Sequence, residues 1–84
     1  MSDKGIHFPQ YRKLSNDKVF YCVLSNLEFH EIQIVGTKAN LFKIQAKIYP
    51  EKLKIQDLLK FQNDGILLSN KAEYEKLLQD YSLG

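Results

Sequence analysis

The sequence predicts an α+β fold, an antiparallel β-meander of about four strands with a C-terminal helix and one shorter helix packed on one face. Three observations lead there. Phe42, Ile44, Ala46 and Ile48 alternate strictly with Lys43, Gln45 and Lys47, the pattern of a strand with one dry face and one wet, basic face. Val19 to Leu24 is apolar at both parities, as in a strand covered on both sides. Tyr74, Leu77, Leu78 and Tyr81 recur at helical spacing, with Lys71, Glu75, Lys76 and Asp80 outside that stripe.

Taken in order, Met1 to Gly5 is a polar start that predicts disorder. Pro9 cannot donate to a ladder and suits the entry to an edge strand, predicted over 10–14. Ser15-Asn16-Asp17 is a turn cluster, because short polar side chains bond to nearby backbone. A second strand follows over 18–24 and should be the most buried. After the break at Ser25-Asn26, residues 28–35 alternate His30, Ile32 and Ile34 with Glu31, Gln33 and Val35. Gly36-Thr37 supplies a hairpin turn into the long strand, predicted over 38–48, and connections this short favour antiparallel neighbours.

Pro50 ends that strand and suits the first turn of a helix, where its missing N–H costs nothing. Ile55, Leu58, Leu59 and Gln62 share a helical face but Leu53 falls off it, so the spacing predicts a short helix over about 54–61. Asn63-Asp64-Gly65 is a breaker, and Ile66-Leu67-Leu68 is long enough only for a buried connector or a brief strand. Asn70 and Glu73 stand at the N-cap and N3 spacing of a capping box that opens the C-terminal helix.

Eighty-four residues make a single small domain, near the lower limit for a core without metal or disulfide staples. The formal net charge of +2 is too near balance to announce a polyanion partner, but its distribution is uneven. Residues 38–60 carry six lysines against Glu51 and Asp57, a net +4, whereas 61–84 sum to −2. Cys22 is the one cysteine, so no internal disulfide forms, and a reducing, cytoplasmic setting is expected. No apolar run approaches the ~20 residues that span a bilayer, so no membrane partner is expected.

The runs Tyr11-Arg12-Lys13, Phe20-Tyr21, Glu28-Phe29 with Glu31, Gln33 and Gly36, Ala46 to Pro50, Ile55-Gln56-Asp57 and Glu73-Tyr74-Glu75 resemble a group of small uncharacterised bacterial proteins. The resemblance implies a compact domain and no activity.

No constellation of catalytic residues stands out. His30-Glu31 has Ile34 where a zinc-protease helix needs its second His, and it lies in a strand. Cys22, inside the most apolar strand, reads as an inert small hydrophobe. Glu28 and Glu31 point to opposite faces, and the four glycines are too scattered for a phosphate-binding loop. The expectation is a protein that is not an enzyme and has no metal, cofactor or small-molecule ligand.

Two binding readings remain. The first is a protein–protein interaction module, self-associating or meeting another protein through a sheet face or edge strand. The second, less favoured, is a single-stranded RNA or DNA binder that sets Lys43, Gln45 and Lys47 on phosphates beside Leu41 and Tyr49 as stacking surface. Arg12, the only arginine, and Tyr21 complete the candidate surface. Arg12 would either read a carboxylate or phosphate with its planar fork or pair with Asp17 or Glu28.

Overall fold

A computed structural model describes residues 7–62 and 65–83, so the expectations for Met1 to Gly5 and for Asn63-Asp64 lie outside the described residues. The elements are β1 (Gln10–Leu14), β2 (Val19–Ser25), β3 (Glu28–Val35), β4 (Lys38–Gln45), α1 (Tyr49–Lys60), β5 (Ile66–Leu68) and α2 (Lys71–Asp80). The five strands form one antiparallel sheet in the order β4-β3-β2-β1-β5. The α+β class and the meander of the first four strands agree with the sequence.

Local chemistry accounts for the turns. Asn16 accepts the Lys18 N–H at 2.8 Å and Ser25 Oγ accepts the Leu27 N–H at 3.0 Å, each side chain closing its own loop. Gly36 has φ 63° between the paired residues Val35 and Lys38, a first turn position where only glycine is unstrained. Glu51 accepts the Lys47 N–H at 2.9 Å and the Ile48 N–H at 3.4 Å, which tethers the start of α1. At α2, Asn70 Oδ1 accepts the Glu73 N–H at 2.8 Å. Glu73 does not reach back to complete the expected box; its carboxylate instead accepts from the Ser69 hydroxyl and pairs with Lys13 at 3.1 Å.

The helices lie on opposite faces, not on one as the sequence suggested. Tyr21, Val23, Phe29 and Ala46 form one core with Ile55 and Leu58 of α1. Phe20, Cys22 and Ile32 form the other with Tyr74 of α2, flanked by Leu77 and Leu78. The reason stands in β2 itself. A strand apolar at both parities must be covered twice, and one helix cannot serve both sides. Fully buried Ile55 and Leu58 contribute on the order of 1.5–3 kcal/mol each to the first core.

Three further differences concern lengths. β5 adds a fifth strand, because Ile66 to Leu68 pairs with the free edge of β1. Helix α1 begins at Tyr49 rather than near 54, and its 12 residues exceed the 10 of α2. Leu53, off the buried stripe, simply faces outward. The strand 38–48 ends at Gln45, and its dry face is dry only in part. Ile44 and Ala46 pack under α1, but Phe42 is 43% and Ile48 59% exposed. β4 is the outermost strand, and α1 is centred over β2, so the cover runs out before it reaches Phe42.

Candidate functional site

The expected surface divides into two buried residues, one half-buried and four exposed. Arg12 of β1 is only 4% exposed. Its Nε donates to the Leu58 carbonyl at 2.9 Å, its Nη1 to the Tyr11 carbonyl at 2.8 Å and to Gln10 Oε1 at 3.2 Å, and its guanidinium lies 4.4 Å from the centre of the Phe61 ring. Burial lowers its pKa. The expected partners are engaged elsewhere, Asp17 with Lys13 at 3.3 Å and Glu28 with His30 at 3.6 Å. Arg12 is thus a clamp on the C-terminal end of α1, where carbonyls and the helix dipole favour a cation, and it is not available to a partner. Tyr21 is likewise buried, with Lys54 Nζ 5.0 Å above its ring.

Leu41 is half-buried against the core under α2. Lys43, Gln45 and Lys47 do converge. With Glu28, Ile48 and Glu51 they line an open groove of about 590 Å³ between the end of β4 and the start of α1. A hollow of about 270 Å³ adjoins it, walled by Ser25, Leu27 and Ala46. Tyr49, in the first turn of α1, is 73% exposed.

The backbone is the larger part of this site. Ala46 donates its N–H to the Leu27 carbonyl at 2.7 Å, so the even-numbered residues of β4 turn their amides toward β3. By the alternation of an antiparallel ladder, Ala39, Leu41, Lys43 and Gln45 then turn theirs outward, to an edge that no strand covers. Sequence reasoning found the lysines and named a sheet face or edge strand, but it did not place the open edge on β4 or bring Glu28 and Glu51 beside the lysines. The signal available was the charge pattern, since Lys38, Lys43 and Lys47 with no acid between 38 and 50 is the composition of a protected edge.

Elsewhere, Tyr11, Cys22, His30 and Lys43 form one row across four strands on the α2 face. Burial raises the pKa of the Cys22 thiol, so the sulfur rests in its protonated, less nucleophilic form. Among the described residues no group of His, Cys, Asp and Glu could hold a metal ion, and no helix is long and apolar enough to cross a membrane. No protein-family model, no curated protein and no solved structure matches the chain.

Proposed function

We propose that this protein is a non-enzymatic protein–protein interaction module that recruits its partner by strand addition to β4. One observation carries the reading: both faces of the sheet are covered by helices while an eight-residue strand is left open along its outer edge. An extended segment laid there would satisfy four outward-facing residues of backbone and place side chains in the groove beside Lys43 and Lys47. The lone reduced thiol fits a cytoplasmic setting. Single-stranded nucleic acid is the weaker fit, because Leu41 is engaged by the core under α2 and Glu28 and Glu51 share the groove with the lysines.

Lys43→Pro tests the reading, since it removes an outward amide while the inward ladder of Phe42 and Ile44 stays intact. Proteins captured from native cells by the wild type should be lost with Lys43→Pro and retained with the distant control Lys76→Ala. An identical captured set for both variants would remove β4 as the docking edge.

A further inference from the structure

We propose that the occupant of the β4 edge is an extended segment of another protein whose apolar residues change sides midway, in the order polar, apolar, polar, apolar, apolar, polar, apolar, polar. This rests on the strand-addition reading and adds the chemistry of the partner.

The order follows from where the two helices lie. On the α1 side of β4, Ile44 packs into the core beneath α1 and Phe42 beside it keeps a half-exposed ring, but farther along that side turns polar at Asn40 and Lys38. The α2 side is the reverse. Ala39 and Leu41 pack into the core beneath α2, and Lys43 and Gln45 are exposed. β3 repeats the diagonal: Ile34 and Ile32 stand opposite Ala39 and Leu41, and Phe29 opposite Ile44, whereas His30 and Glu28 stand opposite Lys43 and Gln45. Cross-strand neighbours on one face stabilise each other, so a strand added outside β4 extends these rows by one residue each. It gains most with apolar residues opposite Ala39, Leu41, Phe42 and Ile44 and polar residues at the remaining positions. That order reads the same from either end of the edge, so it serves a parallel or an antiparallel guest.

A second copy of this chain does not meet the requirement. Pairing two β4 strands about a two-fold axis keeps each side of the sheet on its own side but reverses the strand, which turns apolar ends toward polar ones. The antiparallel register that sets Ile44 against Phe42 of the copy also sets Lys43 on Lys43, and the register that sets Ala39 against Leu41 puts Phe42 on Lys38. No two-fold register matches both sides. Charge does not choose the guest either. Glu28 and Glu51 line the same groove as Lys43 and Lys47, and Lys38 lies on the other side of the sheet from Lys43, so the edge has no row of one sign.

Two capped octapeptides of equal composition provide the probes, each with valine at the apolar and threonine at the polar positions, one in the switching order and one in strict alternation. Binding is read by fluorescence anisotropy and backbone amide exchange. The switching peptide should bind about tenfold more tightly, because strict alternation matches only one side of β4 at a time. Exchange should slow at Leu41, Lys43 and Gln45, and Lys43→Pro should abolish binding. Phe42→Thr, at an exposed position, should narrow the gap to about threefold, since the alternating peptide can set its valines on Ala39 and Leu41 instead. Equal affinity for the two peptides, both lost in Lys43→Pro, overturns the side-switching partner and leaves strand addition standing. So do wild-type dimers that Lys43→Pro dissolves, which put a second copy on the edge. Binding of the switching peptide that survives Lys43→Pro with no amide protection overturns both readings, as does tighter binding of an oligo-dT strand than of either peptide.

Discussion

Arg12 shows how a single side chain changes meaning once its surroundings are known. In the sequence it is the only guanidinium in the chain and invites a recognition role; in the fold it is sealed beneath α1 with its donors on the Leu58, Tyr11 and Gln10 oxygens. Replacing Arg12 with Ala should cost about 2–4 kcal/mol, from the cavity and the carbonyl left without its donor. Arg12→Lys, which keeps charge but loses the flat fork that lies on Phe61, should recover only part of that, and urea titrations of both variants check the order. Tyr74 gives the opposite sign. Its hydroxyl is buried and, among the described residues, has no hydrogen-bond partner, and burial drives its pKa well above that of a free phenol. Tyr74→Phe should therefore leave stability unchanged or raise it by up to about 1 kcal/mol, whereas Tyr74→Ala should cost about 3–5 kcal/mol.

The start of α2 is where elements meet electrostatically. The Ser69 hydroxyl and the Lys13 ammonium lower the pKa of the Glu73 carboxyl, and Lys13 in turn is held charged by Glu73 and Asp17. A carboxyl whose folded pKa lies below its unfolded value adds stability above the unfolded pKa, and that stability fades as pH falls through the folded one. The contribution should thus be whole at neutral pH and fade as pH falls below the ordinary carboxyl range of about 4.3 and on through the lowered folded value. It is small, because the pair is partly exposed and solvent screens it. Glu73→Gln should flatten the acid limb of the urea midpoint plotted against pH between about pH 5 and 3, with little change in the shape of the curve at neutral pH. Asn70→Ala should cost about 1 kcal/mol at every pH, since it removes the N-cap acceptor and no charge. The capping signal at Asn70 and the stripe from Tyr74 were legible in the sequence because both are local, with their partners within a turn of helix. The carboxylate's tie to Lys13 was not, because its partner lies sixty residues away.

At the scale of the whole molecule, two helices clad a sheet whose outer strand β4 stays bare, with Lys38 and Lys43 on that strand and Lys47 just past its end, the side-chain type that discourages edge-to-edge pairing. Replacing Lys38, Lys43 and Lys47 together with Thr should leave the fold intact, since all three are exposed, but should produce concentration-dependent association measurable by light scattering. A strictly monomeric triple variant would show that something other than charge guards the edge.

Periodicity determined most of the architecture in advance. The alternation in β3 and β4, the double apolar character of β2 and the stripe of α2 are local patterns that admit one regular structure each, and Gly36 admits one kind of turn. Which face each helix covers, that α1 reaches back to Tyr49, that β5 joins β1, and that Arg12 and Tyr21 lie buried while Lys43, Gln45 and Lys47 stay outside were decided only by tertiary structure. The physical reason is reach: a hydrophobic pattern tells a segment to hide a face, but what hides it is chosen by competition among all the segments that could, and that choice is made in three dimensions.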